Sequence, residues 1–192
     1  MNKSEVRKKI FQIRRKISDE QVTDNSRKIF ETVKEYLSHA EQYGKIKEVY
    51  AYASYQHEVD TWEYIKDCME HGWKVALPRV AVDGVNMDFY YIQGREDIVS
   101  GYKGILEPAS HCEKADETRN TDERILIMPG VAFDRKRNRA GYGKGFYDRY
   151  LEKHEFACKI AVAFEFQIFD EIECESRDIR PDLVITENGI IM

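Results

Sequence analysis

The sequence predicts an α/β fold: a three-layer sandwich in which helices cover both faces of a largely parallel, Rossmann-like sheet, built as one domain over residues 1–192. Three observations lead there. Segments with the apolar spacing of helices alternate with short segments rich in Val, Ile and Tyr, the order that produces parallel pairing through helical crossovers. Ile125-Leu126-Ile127-Met128 is an unbroken apolar run, as expected of a strand buried on both faces. That run leads into a basic, glycine-rich loop and then a helical start, and ligands of open α/β sheets bind beyond the carboxyl ends of strands.

A chain of 192 residues is long enough for one sizeable core. Apolar residues at 42% and charged residues at 34% describe a soluble globular protein. No apolar run approaches the roughly 20 residues of a membrane span, and the start, Met1–Ile10, is charged and lacks a leader's apolar centre. A cytoplasmic protein is expected. The net charge of −5 argues against nucleic acid or an anionic membrane as a partner, and a monomer is expected. Cys68, Cys112, Cys158 and Cys174 form no C-x-x-C pair, so they read as reduced thiols and not as a zinc site or redox dithiol. The five histidines are scattered without triad or metalloprotease spacing.

Residues 3–17 read as the first helix, with Val6, Ile10, Ile13 and Ile17 on one face. Lys3, Arg7 and Arg14 form a basic stripe about 70° around from that face at 100° per residue. Ser18 to Gln21 has the form of a capping box, and the helix it opens runs to about Leu37 with Val22, Ile29, Phe30, Val33 and Leu37 inward. Glu41–Lys47 is a polar connection. Glu48–Ser54 is a strand. The loop after it carries His57 and Glu58 and ends at Asp60, the expected N-cap of a helix over 61–71 that turns Trp62, Ile65 and Met69 inward and closes at Gly72. Trp73–Leu77 is a strand ended by Pro78. Asp83-Gly84 marks a turn before a strand over Met87–Ile92, whose Tyr90 and Tyr91 are free to line a pocket. Ala109–Glu123, without apolar periodicity, reads as a surface loop. Strands follow over Lys159–Phe164, Leu183–Thr186 and Ile190-Ile191.

The central stretch carries the chemistry. After Pro129-Gly130 and Val131-Ala132-Phe133-Asp134 comes the basic run 135–139, then Gly141, Gly143 and Gly145 alternating with Tyr142, Lys144 and Phe146. Glycines tolerate positive φ and let backbone approach a ligand closely. Amide groups at a helix start favour an anion, Arg139 and Lys144 add full charges, and Asp148 in the first helical turn is placed to hold Mg²⁺. The pattern is neither a Walker A loop, since Gly145 stands where Ser or Thr belongs, nor G-x-G-x-x-G, since Phe146 takes the third glycine's place.

PGVAFD, RAGYGKGFYDRYL and RDIRPDLVITE together closely resemble the 5-formyltetrahydrofolate cyclo-ligase family, whose pattern is roughly P-G-x-x-F-D-x-x-G-x-R-x-G-x-G-x-G-Y-Y-D. Arg137 stands at the family's turn glycine and Phe146 at its first Tyr; the resemblance runs from Lys3 to Glu187. It implies a carbon–nitrogen ligase that uses ATP and Mg²⁺ to cyclise 5-formyltetrahydrofolate, in some cases polyglutamylated, to 5,10-methenyltetrahydrofolate with release of ADP and phosphate. It implies ATP contacts from Lys3, Ser4, Glu5, Val6 and Arg7 and from Arg139 through Tyr147, including Ala140. It implies folate contacts from Ala53, Glu58, Tyr142, Gly143, Lys144, Gly145 and Phe146. Arg139, Lys144 and Tyr147 would be catalytic, Asp148 and Asp178 the metal ligands, and Tyr102, Gly104 and Glu107 of GYKGILEP the border of the substrate channel. Two alternatives stand beside this: an RNA-binding module using the 135–139 run, and a related α/β domain that binds nucleotide or folate without catalysis.

Overall fold

A computed structural model describes residues 1–39, 44–116 and 121–192, with Lys103 as backbone alone. Residues 40–43 of the expected polar connection and 117–120 of the expected surface loop lie outside the described residues. In chain order the elements are α1 (Lys3–Arg14), α2 (Asp19–His39), β1 (Glu48–Tyr50), α3 (Trp62–Glu70), β2 (Lys74–Val80), β3 (Met87–Ile92), β4 (Ile98–Ser100) and β5 (Leu106–Pro108). Then come β6 (Arg124–Met128), β7 (Ala132–Asp134), β8 (Arg139–Ala140), α4 (Phe146–Leu151), β9 (Cys158–Val162), β10 (Ile168–Phe169), β11 (Leu183–Thr186) and β12 (Gly189–Ile191).

The main sheet runs β12-β11-β9-β6-β1-β2-β3. Its five inner strands pair in parallel, and β12 and β3 close the edges antiparallel. The apolar runs explain why: alternate residues of one strand serve opposite faces. Val49, Ile125, Ile127 and Ile160 meet α2 and α3, while Tyr50, Leu126, Met128 and Ala161 meet α4 and Phe133 of β7. Each fully buried aliphatic side chain contributes about 1.5–3 kcal/mol. The expected sandwich with helices on both faces is the fold observed.

A small sheet, β10-β7-β8, seats α1 through Val6 and Ile10 against Val131, Ala132, Ala140 and Ile172. Asn2 and Glu5 close a capping box at its start. The helix ends at Arg14, short of Ile17, and its buried arc is rotated towards the basic stripe: Ile13 is 39% exposed whereas Arg14 is 5% exposed. The capping box at Ser18 forms as expected, with Gln21 N donating to Ser18 Oγ and Ser18 N to Gln21 Oε1, both at 3.2 Å.

Other expectations are corrected. β2 continues through Pro78 to Val80, because β1 pairs with it only as far as Ala76 and beyond that point the strand has a free edge where the missing N–H is tolerated. In α3 the buried residues are Tyr64, Ile65 and Cys68, with Trp62 and Met69 only half-buried at the rim of the core. Within the expected surface loop, residues 113–115 add to β3: Tyr91 N donates to Glu113 O and Ala115 N to Phe89 O. Tyr90 and Tyr91 are engaged, Tyr90 under the Arg79 guanidinium at 3.5 Å and Tyr91 donating to Glu48 at 3.1 Å.

Candidate active site

The sheet order sets the location. From β1 the chain winds towards β2, and from β6 towards β9, so the loops leaving the neighbouring carboxyl ends of β1 and β6 diverge. A crevice at such a switch point is the common ligand position of open α/β sheets. The loop after β1 brings Glu58; the chain after β6 brings Gly130, the β7–β8 hairpin and the three-glycine loop.

Asp134 builds the hairpin. Fully buried, it accepts from Lys136 N, Asn138 N, Asn138 Nδ2 and Ile172 N at 2.8–2.9 Å. The turn carries Arg137 at φ 63°, the left-handed conformation that favours the family's glycine. The basic run divides at this turn. Arg135 pairs with Glu165 at 3.5 Å, Lys136 pairs with Glu171 at 2.7 Å, and Arg137 donates to the Asp182 carbonyl. Arg139 alone turns inward. Arg135 and Lys136 stay exposed in these surface pairs.

In the loop, Gly143 and Gly145 adopt φ of 89° and 66°, values that a side chain would strain. Arg7 reaches over from α1 and donates from Nε to Gly141 O at 2.6 Å. This contact brings the α1 cations to the loop. Arg139 donates to Asp148 Oδ1 at 2.7 Å, and the same oxygen accepts Ile179 N at 3.2 Å. Lys3 bonds Asp178. Burial alone would push the Asp178 carboxyl up, but the Lys3 and Glu175 N hydrogen bonds, with the charges of Lys3 and Arg139, hold it below the usual range. Helix α4 has only six residues, so its dipole adds little beside these full charges.

Glu58 lies deeper. Its Oε1 accepts the Tyr142 hydroxyl at 2.6 Å and its Oε2 accepts Tyr55 N at 3.1 Å. Gln56 and His57 just before it hold φ of 46° and 54°, a strained bend that turns Glu58 inward. Burial raises its carboxyl, opposed by Arg14 and Tyr142. Tyr147 is covered, and its hydroxyl has no hydrogen-bond partner among the described residues; burial and then the Glu58 charge push it far up, against Arg139. The Tyr142 hydroxyl is likewise raised by burial and by Glu58, although its ring leaves the residue 48% exposed.

The structure thus gathers Lys3, Arg7, Arg139, Gly141 to Gly145, Tyr147, Asp148 and Asp178 around one loop, with Glu58 and Tyr142 beneath it. Lys144 is exposed and, among the described residues, makes no ion pair. Ala53 is buried beyond β1, and Phe146 meets the edge of Tyr102 at 6.0 Å. Val6 and, on β8, Ala140 face the core, Glu5 is used in the cap and Ser4 is exposed; of the first turn of α1, Lys3 and Arg7 turn towards the loop side. Glu107 is buried and ties Val80 N to Tyr102 N, a structural clasp. Two contributors lacked an assigned role in the sequence. Arg14 was visible only as part of a stripe. His57, which the sequence places only in the loop before Glu58, bonds the Arg14 carbonyl through Nδ1 at 2.6 Å and fixes the end of α1. Elsewhere Asp97, His111 and Cys112 come together, but the first two satisfy each other at 2.8 Å, and burial and then Asp97 raise the Cys112 thiol, which disfavours the thiolate a metal needs.

Fold and site define an α/β domain that gathers cations and carboxylates around a glycine-rich loop at its switch point, the setting of a small-molecule enzyme. Residues 1–187 match the 5-formyltetrahydrofolate cyclo-ligase family. The mouse 5-formyltetrahydrofolate cyclo-ligase is 30% identical over 156 residues, 77% of each chain, and the Mycolicibacterium smegmatis enzyme of that name is 28% identical over 99% of this chain and 96% of its own. The solution structure of Aquifex aeolicus 5,10-methenyltetrahydrofolate synthetase superposes with a TM-score of 0.79 at 30% identity, covering 98% of this chain and 91% of that one. A Mycoplasma pneumoniae synthetase shares the fold at TM-score 0.75 and 22% identity. The chain belongs to the 5-formyltetrahydrofolate cyclo-ligase family.

Proposed function

We propose that this protein is a ligase that closes 5-formyltetrahydrofolate to 5,10-methenyltetrahydrofolate at the expense of ATP, which leaves as ADP and phosphate. The carrying observation is the Arg7–Gly141 contact, which brings the basic turn of α1 against the glycine-rich loop and supports a shared ligand for the two. The four free cysteines suit a reducing compartment such as the cytosol.

The N-formyl group is amide-like: a weak electrophile whose oxygen leaves poorly. Attack of that oxygen on the γ-phosphorus breaks the bond to ADP and converts the oxygen into a phosphate ester. N10 then attacks the formyl carbon, the C–O bond breaks, phosphate departs, and the N10 proton passes to solvent. No protein nucleophile is needed; the residues position and neutralise. Lys3, Arg7, Arg139 and Lys144 hold the phosphates, and arginine can do so with a two-pronged fork. Glu58 accepts from the N–H edge of the pteridine, beside Tyr142 and Phe146. Tyr147, its hydroxyl raised and without a partner among the described residues, is left to donate a hydrogen bond to a substrate and takes no part as a base.

Asp148 and Asp178 fit Mg²⁺. They offer hard oxygen donors, their side chains are 23% and 16% exposed, and such an ion needs only one or two carboxylates when phosphate oxygens complete its shell. When bound it supplies charge neutralisation on the triphosphate. Arg139 and Lys3, which occupy these carboxylates, are the same cations that phosphates would attract. Absorbance of the methenyl product, followed with and without ATP, tests the reading: product that requires both substrates is expected, and folded protein that makes none overturns it.

A further inference from the structure

We propose that Arg14 is a positioning residue for the folate side of the site: its guanidinium holds Glu58 as a pure acceptor and, through the Tyr142 hydroxyl, sets where the glycine-rich loop stands over it. The proposal rests on the reading of Glu58 as the group that meets the folate.

Arg14 is anchored at both ends. It closes α1, where His57 grips its carbonyl, and its Nη2 donates to Gly130 O, just past β6, at 3.1 Å. Its Nη1 donates to the Tyr142 hydroxyl oxygen at 2.7 Å and lies 3.7 Å from Glu58 Oε1. The direction of this chain of bonds is forced. A guanidinium has no acceptor, so Tyr142 receives from Arg14 and commits its one proton to Glu58, at 2.6 Å. Three segments far apart in sequence are locked in a single orientation: the end of α1, the loop after β1 and the glycine-rich loop.

Chemistry gives the consequence. A buried carboxylate without a counter-charge takes up a proton. A protonated Glu58 would present an O–H where a pteridine edge offers its own N–H donors, and donor would face donor. The other titratable groups at Glu58 cannot replace Arg14. Tyr142 from the loop, Tyr147 from α4 and Tyr52 from the end of β1 are neutral phenols whose hydroxyls burial raises further, and Tyr55 contributes only its backbone N–H.

The test compares wild type with Arg14→Met and Arg14→Lys. KM for 5-formyltetrahydrofolate and for ATP is measured across pH, and the Glu58 carboxyl is titrated by carbon NMR without substrate. Arg14→Met is expected to raise the folate KM about tenfold with the ATP KM changed less than about twofold. The acid limb of kcat/KM for folate should move up by about one pH unit, the same factor of ten. Arg14→Lys restores the charge but not the fork, and should recover part of the loss. Equal rises in both KM values, or an acid limb that stays in place, overturn the proposal. The NMR titration separates the two readings: if Glu58 titrates higher in Arg14→Met while wild type makes no methenyl product, the activity reading falls and the hold of Arg14 stands. An unmoved titration sinks the proposal whatever the turnover. Should Arg14→Met fail to fold, adding Glu58→Gln removes the unpaired charge and should restore folding; no recovery overturns the pairing.

Discussion

Replacing Asp134 by Ala removes the side chain that shapes the hairpin under Arg139. The carboxylate is fully buried and accepts four hydrogen bonds, two at Oδ1 from Lys136 N and Asn138 N and two at Oδ2 from Asn138 Nδ2 and Ile172 N. A net loss of about 1 kcal/mol per bond sums to ~4 kcal/mol, near the upper end for single substitutions. With a urea m-value of about 2 kcal/mol/M for a domain of this size, the midpoint should fall by about 2 M. Asp134→Asn keeps one oxygen for Lys136 N and Asn138 N but turns an NH₂ towards Asn138 Nδ2 and Ile172 N, so about half the loss is expected. Urea melts followed by circular dichroism give the stabilities, and the methenyl-product assay gives the turnover of the folded fraction. That turnover should drop as well, because β8 carries Arg139. A destabilisation below about 1 kcal/mol, the size of one ordinary hydrogen bond, would refute the reasoning.

Arg139→Ala removes the inward cation and should lower kcat by about 10²–10³, the size of one transition-state donor; near-wild-type turnover counts against its role. Lys144→Met should leave stability within about 0.5 kcal/mol, since Lys144 is exposed and unpaired among the described residues, yet reduce turnover; a matching fall in melting temperature would point to a structural role instead. For Asp178 the folded carboxyl titrates below its unfolded value of 3.8, so its stabilisation is present above about that pH and is lost as pH falls through the lower folded value. Thermal melts of Asp178→Asn should therefore lie below wild type at neutral pH and converge with it in acid, and parallel curves would contradict the Lys3 pairing. Arg137→Gly relieves a left-handed residue worth about 1–2 kcal/mol but loosens the unfolded chain by about 0.4–1, so urea melts should show a small gain, and a loss beyond about 1 kcal/mol would show that the Asp182 contact matters more.

The inner strands were legible because burial on both faces leaves an unbroken apolar run, as at Ile125–Met128. The glycine loop was legible because its demands on φ are local. What escaped the sequence was set by partners far along the chain. Pro78 reads as a strand breaker until β1 is seen to leave β2 after Ala76. Ala115 sits in a polar stretch, and its burial depends on the edge of β3. Arg135 and Lys136 look like ligand cations until Glu165 and Glu171 are folded against them. Arg14 is the sharpest case. Helical spacing placed it beside Arg7, but only the placement of Gly130 and Tyr142 shows that a charged residue is the one to be buried there, and Ile13 the one exposed.

The charge balance of the site bears on the proposed phosphorylated ligand. Three cations are answered within the protein: Lys3 by Asp178, Arg139 by Asp148 and Arg14 by Glu58. Arg7, beside Gly143, and Lys144 in the loop have no carboxylate partner among the described residues, and Arg7 bonds the Gly141 carbonyl. A single carboxylate or sulfate could be met by those two alone and would leave the inner pairs closed. On the proposed function, a triphosphate would draw Lys3 and Arg139 as well, and each cation drawn would leave an aspartate, Asp178 or Asp148, to a divalent ion.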